Sequence, residues 1–367
     1  MSSRSGIISS AIIVILVFAA VSGFVFLSNQ YVPSQVAVVV IDPGFGDRSM
    51  VDQAFEGLEE VNVVIQYDFR VASDAANARD IMEDIAAAGQ HNLIVAIGDR
   101  LSGAVTDAAG NYPNQKFALI GGQPSLSLSN VASATFAQHQ AAFLAGAIAA
   151  FLSTGNSNRS SIVGILGSVE GDQTVEALIA GFVQGLDQAN TTYNLNVTLL
   201  PIDYVGSYND SATAESLAYG MFSPIQGNAT VIFAPVRASI MGVRTAMENA
   251  NATYFSDITG REPFVIAAEG DQNYLGNPDI EIRNGPSWIV ASVVPRSDLA
   301  VARVINATLW QAFPEGSTDQ YTLANGGVGL SFEFRNSDWV TDYMLSVVAD
   351  YQDAILNQTI TVSSTLP

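Results

Sequence analysis

The chain has 367 residues, 49% of them hydrophobic, enough for two domains with substantial cores. A formal net charge of −21, with 14 Lys and Arg against 35 Asp and Glu, excludes nucleic acid as a partner, because phosphate backbones are held by clustered cations. The absence of Cys excludes disulfides, thiolate metal sites, Cys nucleophiles and a lipid-modified Cys anchor, and the two His, His91 and His139, leave little for metal or triad chemistry.

At the N-terminus, "GIISSAIIVILVFAAVSGFVFL", Gly6 to Leu27, carries no charge and is long enough to cross a bilayer as one helix. Arg4 ahead of it predicts an inside N-terminus and an extracytoplasmic bulk. A cleaved secretory signal is the alternative. The run is longer than a usual signal core and no small-x-small site closes it, so a retained single-pass anchor at the cell membrane is expected, with 1–35 as anchor and tether. Eight N-x-S/T sequons, at Asn158, Asn190, Asn196, Asn209, Asn228, Asn251, Asn306 and Asn357, agree with an exterior, glycosylated location. Together with the missing lipidation Cys they point to an archaeal cell surface.

Beyond the tether, short and almost continuously apolar runs alternate with helical patterns. Strands are expected at Val36–Ile41, Val61–Gln66, Asn92–Ile97, Lys116–Ile120, Ser161–Leu166, Val197–Ile202, Thr230–Ala234, Pro263–Ala267 and Ser287–Val294. Helices are expected at Ser49–Glu60, Asp74–Ala88, Leu101–Ala109, Gln138–Leu152, Thr174–Asn190, Ser211–Phe222 and Ile240–Ala250. Continuous rather than alternating apolar strands are those of a parallel sheet covered on both faces, so the class is α/β. "VAVVVIDPGFGDRSMVDQAFEGL" recurs in outline as "SIVGILGSVEGDQTVEALIAGFVQGL", each a strand, a Gly- and Asp-containing turn, and a helix ending in an aromatic and Gly-Leu. Two such openings imply two Rossmann-like lobes, 36–135 (completed by about 314–360) and 136–313, facing each other across a cleft at the carboxyl ends of their strands.

The first turn, "DPGFGDRS", lacks a full G-x-G-x-x-G fingerprint and no P-loop Lys follows, so it is not a phosphate cradle. Two readings of it stand. Asp47 or Ser49 caps the following helix, or these side chains contact a ligand with hydroxyl and amine donors. Other strand ends are polar in the same way: "AIGDRLSGA" brings Asp99 and Arg100, "DYVGSYND" brings Tyr208, and "AAEGDQNYL" brings Glu269, Asp271 and Gln272. Acids and aromatics gathered at strand ends suit a sandwiched ring with a hydroxylated appendage. No carboxylate spacing selects an acid and a base, and His139 at a helix start reads as packing or capping. No catalysis, metal or cofactor is expected.

The order of these motifs resembles the BMP (basic membrane protein) family of ABC-transporter substrate-binding proteins, which includes bacterial purine-nucleoside receptors. "GFGDRSMVDQAFEG" resembles that family's opening, and "HNLIVAIGDRLSGAVTDAAGNYPNQKFALIGG", "VASATFAQHQAAFLAGAIAAFLS", "YVGSYNDSATAESLAYGMF", "VIAAEGDQNYL", "SVVPRSDLAV" and "GGVGLSF" follow in the expected order. The resemblance implies a type I periplasmic-binding fold and capture of a nucleoside-like small molecule for an ABC permease. It places Asp47 at the base edge, Tyr208 stacked on the base, Glu269 and Asp271 at the ribose hydroxyls, and Asp99 at a polar contact. The departures are Gly46 for Asn, Met50 for Phe in the base clamp, Pro295 for Lys ahead of Arg296, and "APVRASIMG" for a Gly-rich turn. That last change introduces Arg237, which suits a ligand with an acidic group. Asn209 is a sequon inside the site motif, where a glycan would obstruct closure. The alternative function is a structural or sensory surface protein, including a self-assembling one, that reuses the scaffold.

Overall fold

A computed structural model describes residues 34–46, 48–61 and 65–366. In chain order the first lobe runs β1 (Ser34–Ile41), α1 (Met50–Val61), β2 (Ile65–Ala72), α2 (Ala75–Ala88), β3 (Leu93–Ile97), α3 (Ser102–Asn111), β4 (Phe117–Ile120) and β5 (Val131–Phe136). The chain then enters the second lobe as α4 (Gln138–Thr154), β6 (Ile162–Gly167), α5 (Gln173–Tyr193), β7 (Thr198–Leu199), β8 (Asp203–Tyr204), α6 (Ser211–Phe222), β9 (Val231–Ala234), α7 (Ile240–Ala250), β10 (Phe264–Ala268) and β11 (Ile289–Pro295). It returns to the first lobe for α8 (Ser297–Leu309) and β12 (Thr318–Tyr321), and finishes in the second as β13 (Val328–Ser331) and α9 (Asp342–Leu356).

The first sheet has the order β12-β5-β4-β3-β1-β2, parallel throughout. The second has the order β13-β11-β10-β9-β6-β7, parallel except for β13 against β11. Both faces of each sheet are covered. In β1, Val36, Val38 and Val40 join one core and Ala37 and Val39 the other. This is why Val36–Val40 reads as an unbroken apolar run: each of these positions is buried. β2 differs because it is an edge strand with β1 as its one neighbour, and Gln66 and Arg70 are exposed. The strand expected at Val61–Gln66 therefore forms later, and Val61 is the end of α1. β5, β12 and β13 arise in stretches with no long apolar run; each is short and carries Ser, Thr, Asp or Gly.

Three crossings join the lobes, at Ala137, at Arg296 and between Tyr321 and Val328. They lie side by side and are bonded to one another. Ala137 N–H donates to Tyr321 C=O at 2.8 Å, Arg296 N–H to Gly327 C=O at 2.9 Å, and Leu323 N–H to the Gln140 side chain at 3.1 Å. Such a strap constrains the lobes to move as bodies about one axis.

The two echoed units pack their helices in the same way. Gly57 of α1 lies against the main chain of Asp298 in α8, and Gly181 and Gly185 of α5 lie against His139 and Phe143 in α4. The Gly-Leu endings visible in the sequence are thus close helix–helix approaches, one in each lobe.

The membrane-spanning helix expected as part of the fold falls at Gly6–Leu27, outside the described residues. Among the described residues no helix is long and apolar enough to cross a membrane. The most apolar of them, α4, is 17 residues long and spends that apolarity on the core, with Ala141 to Leu152 all buried against α5, the second sheet and α9. The expected fold class is therefore corrected to the two-lobed α/β unit alone. The single-pass anchor, the membrane as a partner and the transmembrane localisation drawn from it rest on no described element.

Adding a methyl group at Gly185 would place it 1.8 Å from the Phe143 carbonyl oxygen. Gly185→Ala is expected to destabilise the protein by about 1–3 kcal/mol through overpacking. Gly103→Ala, in α3 with open space around its Cβ position, is expected to be neutral or stabilising. Urea denaturation of both variants checks the pair; equal midpoints would remove the close-packing argument.

Candidate functional site

The carboxyl ends of β1, β3, β6, β9 and β10 all deliver their loops to the cleft between the lobes, as parallel sheets do. After β1, the loop leading to α1 is held by Asp52, whose carboxylate accepts from Gly46 N–H at 2.8 Å and Arg48 N–H at 2.9 Å. After β6, the equivalent loop is held by Asp172, the N-cap of α5, which accepts from Thr174 N–H at 2.9 Å and Val175 N–H at 3.0 Å. Glu176 adds a bond from Gly171 N–H at 3.0 Å. An acid in or next to the first turn thus holds the preceding loop in the first lobe and satisfies free helix N–H groups in the second.

After β3, Gly98 adopts φ 121°, a conformation that only Gly takes readily, and the turn it makes sends Asp99 into the cleft. After β9 and β10 stand Arg237 (φ 50°) and Glu269 (φ 68°), both in the left-handed region although they carry Cβ atoms. Backbone of this kind clusters where a site needs it.

These loops meet around one guanidinium. Arg237 Nε donates to Glu269 Oε2 at 2.8 Å, while its Nη2 lies 3.4 Å from Asp99 Oδ1 and 3.9 Å from Asp172 Oδ2. Its guanidinium carbon sits over the ring of Tyr208 at 4.6 Å, and that of Arg100 over the same ring at 4.8 Å. Tyr208 O–H donates to Asp172 Oδ2 at 2.6 Å. Thr174 O–H donates to Asp99 Oδ2 at 2.8 Å. Asp99 of the first lobe is thereby bound twice by the second. Farther along the cleft Arg48 donates to Tyr274 O–H at 3.4 Å, and Gln272 donates to the Arg48 carbonyl.

The electrostatics follow from burial. Glu269 is fully buried, and desolvation raises its pKa to about 7; Arg237 pulls it down, while Asp172 and Asp99 push it up. Burial alone would lower the pKa of Arg237, but Glu269, Asp99 and Asp172 outweigh it and the net shift is upward, so this group stays charged. Burial, and then the bond to Asp172, raise the Tyr208 phenol. One cation faces three carboxylates, and Glu269 Oε1 has no hydrogen-bond partner. The centre of the site is an acceptor-rich wall with spare capacity for donors.

Around it, the described residues line three spaces of the cleft. A small one of about 50 Å³ lies between Pro43, Ser49 and Met50 of the first lobe and Tyr208 and Arg237 of the second. Larger ones of about 620 Å³ and 580 Å³ open to either side, the first reaching Glu56, Asp271 and Tyr274 and the second Gln123, Gln138 and His139.

Of the residues singled out in the sequence, Asp99, Tyr208, Arg237 and Glu269 come together, with Ser49 and Met50 facing them. Met50 is buried with its thioether against Gly121. Asp271 stands apart: it accepts from Asn273 N–H at 3.1 Å and lines the outer space. Asp47 lies outside the described residues. Asn209 is exposed beside Tyr208. Arg296 is held by Asp298, with Nη2 2.7 Å from Oδ2. Burial lowers the pKa of His139, which lines the second outer space. Among the described residues no group of His, Asp and Glu is arranged to hold a metal ion. Asp172 and Thr174 were not anticipated, although the echo of "GDRS" in "GDQT" marks their positions.

The family described as ABC transporter substrate-binding protein PnrA-like matches residues 34–365. An ABC transporter nucleoside-binding protein of Lactococcus lactis subsp. cremoris is 26% identical over 336 residues, covering 90% of this chain and 89% of that one. A solute-binding protein of an ABC transporter system from Aeropyrum pernix K1 superposes with a TM-score of 0.78 at 20% identity, over 91% of this chain and 94% of its own. A carbohydrate transporter solute-binding protein from Agrobacterium radiobacter, in complex with D-arabinose, does so at 0.57 and 15% identity, over 86% and 98%. The structural likenesses carry the fold.

Because the folded pKa of Glu269 lies above its ordinary 4.5, the folded protein holds an extra proton between pH 4.5 and about 7. Its stabilising contribution is full below that window and is lost as the pH rises through 7, by at most roughly 3 kcal/mol. Relative to Glu269→Gln, the wild type should lose stability from pH 5 to pH 8 in chemical denaturation. Parallel profiles would show that Glu269 is ionised throughout.

Proposed function

The chain belongs to the PnrA-like family of ABC transporter substrate-binding proteins, and we propose that its cleft captures a nucleoside-like solute, a polar ring bearing hydroxyl or amino donors. The coarser statement follows from the family: it is a solute-binding component of an ABC importer, works by closure of two lobes about a hinge, and is not an enzyme. The ABC permease is its expected partner.

One observation carries the finer reading. A single aromatic face, Tyr208, is bordered by Asp99, Asp172 and Glu269, with an unpaired acceptor at Glu269 Oε1. A planar ring stacks on such a face, and its hydroxyl or amino groups donate to the surrounding carboxylates. Ser49 and Met50 form the opposite wall, and Asp47 is proposed to reach the edge of the ring. Asp271, at the outer space, serves a longer appendage. The name of the Lactococcus relative, a nucleoside-binding protein, supports this class. For a ring to seat, Arg237 and Arg100 must leave the face of Tyr208.

That requirement favours a second reading. A protein whose own arginines cover the aromatic face suits a structural or sensory role on the same scaffold.

Isothermal titration of the solute-freed protein with a panel of nucleosides and pentoses separates the readings. Nucleoside binding is expected, and Tyr208→Ala should weaken it by about 10-fold to 100-fold, the loss of one stacked base. Preference for pentoses, with Tyr208→Ala of little effect, would move the ligand class to sugars. No heat with any member of the panel would support the second reading.

A further inference from the structure

We infer that Arg237 is a tethered cation that latches the two lobes together through Asp99, and that any solute entering the cleft competes with it. The inference concerns the protein's own contacts and does not depend on which solute is bound.

The arrangement of partners carries it. Glu269, Asp172 and Tyr208 belong to the second lobe, as does Arg237, so those contacts persist whether the lobes are together or apart. Asp99 belongs to the first lobe. Its two carboxylate oxygens are divided between Arg237 and Thr174, both of the second lobe, at 3.4 Å and 2.8 Å. These bonds exist only while the lobes meet. Their side chains are mostly shielded from water, 12% exposed for Arg237 and 20% for Asp99, so the attraction is screened less than in a surface pair. The alternative for a guanidinium in this position is poor. With Asp99 withdrawn it retains acids on one side only, and Asp99 keeps only the Arg100 N–H of its own loop, at 3.0 Å.

The backbone supports the same assignment. Arg237 and Glu269 both occupy the left-handed region, which disfavours any residue with a Cβ atom, and Gly98 adopts an angle reserved for Gly just before Asp99. Three separate loops are thus bent so that one cation meets acids from both lobes. A guanidinium serving only the core of the second lobe would not require Gly98 or Asp99 to be where they are. The space left beside it, about 50 Å³, is smaller than the few hundred Å³ that enclose a small-molecule ligand. Arg237 therefore stands at the narrow centre of the cleft, between the larger spaces of about 620 Å³ and 580 Å³ on either side.

The test uses the full extracytoplasmic chain, freed of solute by unfolding, dialysis and refolding, in small-angle X-ray scattering at low ionic strength. The wild type should scatter as the compact two-lobed form. Arg237→Ala leaves Asp99, Asp172 and Glu269 facing one another, so its radius of gyration should rise. Millimolar guanidinium chloride should reverse that rise, while sodium chloride at equal ionic strength should not. Asp99→Asn keeps the Arg237–Glu269 pair and should also open the lobes with little change in thermal midpoint, which keeps the test decisive if Arg237→Ala folds poorly. Wild-type scattering from Asp99→Asn, or a rise in Arg237→Ala that guanidinium does not reverse, would overturn the latch. Neither result bears on nucleoside binding, which is read separately by titration.

Discussion

A charged guanidinium withdrawn from water is tolerable only when carboxylates are already fixed around it, and Arg237 imposes that condition on the whole cleft. Removing an ion from water costs several kcal/mol, and the cost is recovered only with close, correctly aimed partners. Glu269 provides the short contact at 2.8 Å, but Glu269 is itself fully buried and resists ionising. The pair is therefore held by its surroundings. Asp172 and Asp99 supply further negative potential, and the Tyr208 ring supplies a polarisable face. None of these positions is free to drift. Asp172 is fixed by capping α5, and Tyr208 is fixed by Asp172.

Precision of this kind needs rigid lobes and a confined motion between them. Rigidity comes from sheets covered on both faces and from helix pairs that meet at Gly57 on one side and at Gly181 and Gly185 on the other. Confinement comes from three crossings bonded side by side, so that opening the cleft means rotation about the strap rather than deformation of either lobe. Among the described residues, Asp99 meets Arg237 and Thr174 across the cleft, Arg100 meets the Tyr208 ring, and Arg48 meets Tyr274 and Gln272.

How much of this was legible in the sequence differs by element, for physical reasons. Strands covered on both faces betray themselves by continuous apolarity, and β1, β3, β4, β6, β9, β10 and β11 were readable to within about two residues. Edge strand β2 was displaced because one of its sides meets solvent. β12 and β13 were missed because short strands at sheet margins carry no periodic signal. The helices α8 and α9 were likewise not anticipated, although α8 buries Ala300, Val301, Val304 and Ile305 in the core of the first lobe. At the site, polar strand ends were visible as a class, but pairing was not. Arg237 reads in the sequence as a cation suited to an acidic ligand, whereas three carboxylates already surround it. A one-dimensional reading cannot see that arrangement, because Asp99, Asp172 and Glu269 come from three separate loops.

The echo between the lobes held more than was first drawn from it. "GDRS" and "GDQT" open the helix that follows the first strand of each lobe, so Asp47 corresponds to Asp172 and Ser49 to Thr174 in sequence. Asp172 caps α5 and also accepts from Tyr208, so a single acid can serve the helix end and the cleft together. The two readings of the first turn, capping or ligand contact, are therefore not exclusive in principle. In the first lobe the loop is held by Asp52 from within α1. The two turns differ in that the first is held by an acid inside its helix, whereas the second is held by the acid at its N-cap, which also reaches the cleft.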